Sequence, residues 1–408
     1  MKKCISIPTI SILGLSLLIT GCSTQKSIQV SKDVKAETKL QAEQTKQKTE
    51  AVFNKELKMF KNESLIAWKD DDNVIGYTVN YTDDSLSKTL KLYNINIKTE
   101  QTTEILADKG IKEVIGMEND ETLIVADDVS IYSISLKDNT MKKIYTPLSK
   151  KEYESLVIMS KLNELLLKKG YLSWRKEELN NKQTYEAINY RTGKKHEIVR
   201  YGDFYEGEAF AISEPYLYIC DKEKIRRVNL DDGTTSELKI YRAFIQSILE
   251  DGTLLVHSIH EQMHYGPVTF YNANFEKNKI TEYVNDIKQY NFYNQKYDEK
   301  SKLIFINEST KPDKDNKSSS FVGTFMGIID KDKFIIKNKI PVVDKTIQDS
   351  KLENILLNPK RDKMIATNET LIEDKNAKPK EIKRKNKPPI KIEKIMKPVY
   401  TRYLFDIK

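Results

Sequence analysis

Tyr93-Asn-Ile-Asn96-Ile-Lys-Thr99, Tyr132-Ser-Ile-Ser135-Leu-Lys-Asp138 and Val228-Asn229-Leu-Asp-Asp-Gly233 share one pattern: strand-like residues, a small polar residue, one apolar residue, then a polar turn. The pattern recurs at Ile188-Asn189, Tyr271-Asn-Ala-Asn274, Ile329-Asp330 and Tyr403-Leu-Phe-Asp406, the last just before Lys408. Spacings between the polar markers are about 40 residues, with a few nearer 55 and a longer final one, the range of four-stranded propeller blades. After each turn but the last comes a short strand, such as Glu104-Ile-Leu or Glu237-Leu-Lys-Ile. Before each marker lies a strand pair with a tight acidic or glycine-containing turn, as in Val114 to Val125, Ile248 to Val256 and Ile355 to Ile365. Each repeat therefore supplies strands A, B, C and D joined by short hairpins.

One four-stranded sheet cannot bury both faces, whereas radial packing buries them against neighbours and leaves only short edges. The expected fold is all-β, a β-propeller of about seven four-stranded blades, with six or eight also compatible. A pair of sandwich domains is the competing arrangement, but it gives no reason for a steady repeat. The chain ends at the third strand of the last blade, so that blade lacks its own fourth strand. The segment Phe53 to Phe60 is the expected donor, which would join both chain ends in one sheet and remove an open edge. A helical cap or an incomplete last blade is the alternative.

The start of the chain has a different character. Met1-Lys2-Lys3 precedes an apolar run from Ile5 to Leu18, too short to span a bilayer comfortably, and then Ile19-Thr20-Gly21-Cys22. This tetrapeptide resembles the lipobox of bacterial lipoproteins, and that resemblance implies a signal peptide over residues 1–21 and a diacylated N-terminal Cys22. Residues 22–52 are mostly Lys, Glu, Gln, Thr and Ser and read as a solvated tether, which leaves 53–408 for the propeller. With Cys4 removed and Cys22 acylated, Cys220 is the remaining thiol of the three. It lies in strand-like Tyr216-Leu-Tyr-Ile-Cys220, where a buried inert thiol is expected and no disulfide can form.

The net charge of +8 becomes +6 without Lys2 and Lys3. That suits anionic lipid and wall polymers more than nucleic acid. Scarce glycine with abundant Lys, Asn, Ile and Tyr points to an AT-rich, Gram-positive source. Ala67 to Tyr77 with Leu92 to Thr99, and Leu357 to Ile365, resemble the WD40-like repeats of TolB-type propellers. The Trp-Asp blade endings are absent and the Ser-Pro-Asp-Gly turn is degenerate. The resemblance implies the fold and a partner-binding role.

If residues 53–60 close the ring, the tether leaves from the face carrying the A–B and C–D turns. The opposite face carries the B–C and D–A loops. In this register Asp83 to Ser87, Trp174 to Lys182, Ser258 to Pro267, Ser309 to Ser320 and Asp374 to Pro398 are all B–C loops. Long loops on one rim of a rigid scaffold suit recognition. The last loop holds ten Lys/Arg, three acidic residues and four prolines, so an extended, mobile basic segment is expected there.

His260-Glu261-Gln262-Met263-His264 matches H-E-x-x-H, with His257 nearby. On a helix the two histidines would share a face and hold zinc, Glu261 acting as general base. Strand-like residues on both sides and Gly266-Pro267 leave room for two helical turns at most, and no convincing third ligand follows, Glu282 being only a loose fit. A surface zinc metallohydrolase is therefore the alternative function. Asp70-Asp71-Asp72 and Asp313 to Asn316 lack the glycine and terminal glutamate of an EF-hand and read as hairpin turns. The sequence contains no phosphate-binding glycine loop, nucleophile elbow or dinucleotide fingerprint. Two tryptophans, Trp68 and Trp174, argue against a quinone-dependent propeller. The sequence favours a membrane-anchored, extracytoplasmic binding scaffold with no catalytic residues, cofactor or metal, for a protein or cell-envelope polymer at the B–C rim.

Overall fold

The computed structural model describes residues 50–58, 64–81, 88–107, 109–179, 182–201, 210–249, 251–259, 268–282, 284–285, 291–309, 321–330, 333–340, 352–373, 380–384, 387–392 and 396–408. Cys22, the signal segment, the tether before Glu50 and the His260–His264 motif lie outside them.

Seven antiparallel sheets follow one another as the blades of a β-propeller. Blade 1 has strands Ser64–Trp68, Asn73–Tyr81, Lys88–Asn96 and Thr102–Ile105 as A to D. Blade 2 runs from Glu113–Asn119 through Met141–Tyr145, blade 4 from Phe210–Ser213 through Thr235–Leu238, and blade 5 from Ala243–Ile248 through Lys279–Glu282. Blade 6 runs from Asn291–Asp298 through Lys333–Lys339 and gains a short outer strand, Val284–Asn285, parallel to its D strand.

Blade 7 has A, B and C strands Leu352–Leu357, Lys363–Glu373 and Met396–Ile407, and its outer strand is Ala51–Leu57 from the other end of the chain. The donor begins two residues earlier than the sequence suggested. Ala51 pairs with Ile407 and Leu57 with Arg402. Leu57 is 3% exposed, while Phe53 lies edge-on to Tyr403 and Phe405 at 6.4 and 6.1 Å.

Seven separate clusters of buried side chains fill the seven junctions between blades. Ile75 and Leu92 of blade 1 meet Leu123 and Ile134 of blade 2. The last junction packs Leu356, Ile365 and Leu404 of blade 7 against Trp68, Val74 and Ile95 of blade 1. A core at every junction, including the one joining last blade to first, is what a closed ring requires. Trp68 stitches that junction, its Nε1 donating to the Leu356 carbonyl at 3.1 Å.

The recurring polar marker has a specific job. The Asn96 side-chain oxygen accepts from the backbone N–H of Lys98 and Thr99 at 3.0 Å each, and Asn189 and Asn229 do the same for the residues after them. The fifth position of these turns takes positive φ: 59° at Glu100, 58° at Asn139, 76° at Gly193 and 73° at Gly233. Asn and Asp favour such turns because their side chains replace the missing backbone bonds. The apolar residue after the marker ties the C–D turn to the A–B turn of its own blade. Ile97 donates to the Asp72 carbonyl, Leu136 to Glu121 and Ile407 to Asp362, all at 2.8 Å.

Blade 3 departs from the four-stranded expectation. Among the described residues it has three strands, Tyr171–Leu179, Lys182–Asn189 and Lys195–Tyr201. Two helices precede them, α1 (Lys150–Leu162) and α2 (Glu164–Lys168), and α2 leads into the blade where strand A would run. Ser149 caps α1 by accepting from the Glu152 N–H, and Ser149-Lys-Lys-Glu152 is a capping-box sequence. Leu156, Val157 and Leu167 bury against blade 2 while Met159 and Leu166 bury against blade 4. The helices thus supply the apolar surface of the absent strand.

Candidate functional site

Two regions gather chemistry: the central channel at the A–B turns, and the opposite B–C rim. The channel opens into a cavity of about 420 Å³ lined by the ends of inner strands from blades 1, 2, 5, 6 and 7 and by α2.

Charges at this mouth are organised by Arg361, in the A–B turn of blade 7. Its guanidinium donates to Asp298 of blade 6 through Nε and Nη2 at 3.3 and 3.1 Å, and through Nη1 to Asp120 of blade 2 at 3.3 Å. Lys300 of blade 6 also pairs with Asp120. Burial works against the Asp298 carboxylate, but bonds from Arg361 and Ser301 outweigh it and hold its pKa below the usual range. Asp120 behaves likewise: burial is outweighed by Lys300 and Arg361. Glu118, buried at the end of strand A of blade 2, accepts from Arg191 and Tyr190 of blade 3. Glu299 accepts from the Ser247 hydroxyl at 2.6 Å.

Lys296 lies deeper and donates to the Ile355 carbonyl at 2.8 Å. The ring surrounds it, yet the channel keeps it open to solvent. Desolvation lowers its pKa from the usual lysine range, Glu164 opposing and Lys168 reinforcing the shift.

The B–C rim is elaborated on adjacent blades 7 and 1. Among the described residues of blade 7, strand A pairs as far as Asn368 and the closing strand as far as Arg402. Strands B and C continue in register from Glu369↔Tyr400 to Glu373↔Met396. A two-stranded ribbon therefore projects from the rim. Within the basic insertion, Lys380–Arg384 and Lys387–Ile392 pair as a further hairpin, so the stretch expected to be an extended loop contains strands. In blade 1, pairing also continues outward from Thr78↔Lys91 to Tyr81↔Lys88. Within Trp174 to Lys182, expected as a loop, the described residues are instead paired strand, with Leu179 opposite Lys182.

His257 sits on strand B of blade 5, Leu254–Ile259, not on a helix with the other histidines. Its ring stacks on Phe244 at 5.0 Å and its Nδ1 meets Gln246 Nε2 at 2.9 Å. Burial drives its pKa down to about 3. Ile259 pairs with Val268, so the H-E-x-x-H residues fall in the connection of a B–C hairpin. Among the described residues, no three His, Cys, Asp or Glu side chains are placed to share a metal ion. Cys220 is a buried free thiol. Asp70 forms a hairpin turn, its Oδ1 accepting from Asp72 and Asn73 N–H at 2.9 Å.

Lys296, Asp298, Arg361 and Asp120 were not singled out by the sequence. Their signal is charge of both signs in the A–B turns of blades 2, 6 and 7, and only radial stacking brings those turns together.

No protein-family pattern and no curated protein matches the chain. Solved structures do. An oligogalacturonate lyase from Vibrio parahaemolyticus aligns over 88% of this chain and 92% of its own at 11% identity, with a TM-score of 0.47. An acylaminoacyl peptidase from Pyrococcus horikoshii aligns over 79% and 49% at 10% identity, with a TM-score of 0.45. The β-propeller domain of the Trilobed protease from Pyrococcus furiosus aligns over 76% and 91% at 11% identity, with a TM-score of 0.43. Such distant likenesses carry nothing about activity, and the propeller assignment rests on the seven junctions of this chain. Among the described residues, no helix is long and apolar enough to cross a membrane.

Proposed function

We propose that this chain is a lipoprotein held by acylated Cys22 on the extracytoplasmic face of a membrane, binding an anionic partner at its B–C rim without catalysing a reaction. The partner class is a cell-wall polymer or an acidic protein. The observation that carries this reading is the ribbon of blade 7, which extends past the described pairing of both flanking strands at the rim opposite chain entry. Glu50 lies beside Lys408 and the A–B turn of blade 7, so a tether from Cys22 joins the other face. The ribbon leads into a stretch with ten Lys/Arg against three acidic residues, and charge of one sign steers an oppositely charged partner.

Two changes test this. Cys22→Ala should move the protein from the membrane fraction to the medium, and unchanged retention overturns the anchor. Joining Glu373 to Met396 by an Asn-Gly turn, which suits a two-residue hairpin, removes the basic segment. That variant should lose salt-sensitive binding to purified polyglycerol-phosphate polymer and to acidic envelope proteins, and undiminished binding to both overturns the rim assignment. Stoichiometric zinc together with hydrolysis abolished by Glu261→Ala would establish the metallohydrolase instead.

A further inference from the structure

We infer that the channel is a binding site for a small oxyanion, a molecule bearing a carboxylate or phosphate, with Lys296 and Lys168 as its cationic contacts. This site goes beyond the rim partner and needs neither the anchor nor the basic ribbon.

The inference follows from which charges in the channel are already engaged. Asp298 and Asp120 are taken by Arg361, Lys300 and Ser301, and Glu118 by Arg191 and Tyr190, whereas Glu299 accepts from the neutral Ser247 hydroxyl and keeps its charge. Among the described residues Lys168, Lys169 and Lys296 form no ion pair, and Glu164 and Glu299 are the lining carboxylates without a cationic partner. The unengaged set is therefore cationic by one charge.

Lys296 shows the deficit most clearly. Its side chain opens into the channel, and its single protein acceptor is the Ile355 carbonyl. An ammonium has three donors. A bound oxyanion would take the remaining two and supply the counter-charge that Asp298 gives to Arg361 instead. Lys168 approaches from α2, which stands in for an inner strand only in blade 3. A helix there places its side chain where the other blades present a strand edge. Ile66, Ile248 and Ile355 share the lining, and about 420 Å³ lies in the size range of small-molecule pockets.

Calorimetric titration of the full-length, detergent-solubilised protein with citrate, and separately with inorganic phosphate, tests this. At least one anion should bind saturably with one-to-one stoichiometry. Lys296→Met, which keeps the length of the side chain, should weaken it by about tenfold or more, the usual consequence of removing a charged hydrogen-bond donor. Lys168→Gln, at the exposed end of α2, should weaken it too, which keeps the test open if the Lys296 change perturbs folding. The variant lacking the basic segment between Glu373 and Met396 should bind as the parent does. Binding of neither anion, equal affinity in both lysine variants, or a loss that follows the basic segment overturns the proposal. The rim assignment can fail without touching this result, because its test uses a polymer too large for the cavity.

Discussion

Asp120 of blade 2 and Arg361 of blade 7 meet at 3.3 Å across the channel mouth, bridging blades with another blade between them. The same guanidinium holds Asp298 of blade 6. One side chain thus ties three blades where each contributes only a turn.

Arg361→Met should destabilise the protein in a pH-dependent way. In the parent, Asp298 and Asp120 have pKa values below the unfolded value of 3.8, so their contribution is full above that pH and is lost as pH falls through the folded values. Without the guanidinium, burial of the same carboxylates disfavours their charged form. The gap in melting temperature between parent and variant should be wide at about pH 7 and narrow towards about pH 3. A gap independent of pH would contradict the pairing.

Trp68→Phe tests the stitch between the last blade and the first. The ring volume is largely kept, but the Leu356 carbonyl loses its donor in a buried junction. A loss of about 1–3 kcal/mol in denaturant unfolding is expected. No loss would mean that water satisfies the carbonyl.

Leu57→Ala probes the closing strand. Leu57 is 3% exposed and packs with Leu356, Ile365 and Leu404, so truncation should remove about 2–5 kcal/mol. The exposed neighbour Glu56 provides a comparison: Glu56→Ala should change unfolding by less than about 0.5 kcal/mol.

His257→Phe should flatten the acid limb of the stability profile. The buried imidazole titrates at about 3 against 6.5 for a free one, so the folded state resists protonation. Stability from this group is full above the unfolded value and falls as pH drops from there towards the folded one. Thermal melts of parent and variant between about pH 7 and pH 4 should diverge on acidification, the parent losing more. Parallel curves would show that His257 is not enclosed.

The ring was legible because its repeat records hydrogen bonding. Asn96, Asn189 and Asn229 each cap a C–D turn, and the following Ile97, Tyr190 or Leu230 buttons it to the A–B turn. Those needs are local, so they leave a trace at fixed spacing. The closing strand was legible for a topological reason, an unmatched third strand at Asp406. Blade 3 was not, because α2 replaces a strand through the volume of Leu165, Leu166 and Leu167, an apolar run that suits either element. The channel cluster escaped for another reason: Asp120 and Arg361 are 241 residues apart, and nothing local distinguishes them from ordinary turn residues.

The pairing of Asn54 with Asp406 joins residues 352 positions apart. For a chain made from its N-terminus, Ala51–Leu57 has no sheet to join until Met396–Ile407 arrives. Up to that moment the edge of blade 7 is missing and Ala51–Leu57 is an orphan. A molecule without Met396–Ile407 would leave Ala51–Leu57 unpaired and the seam between blades 7 and 1 open. Closure of the ring therefore demands two strands that lie far apart in the chain, and neither can be spared.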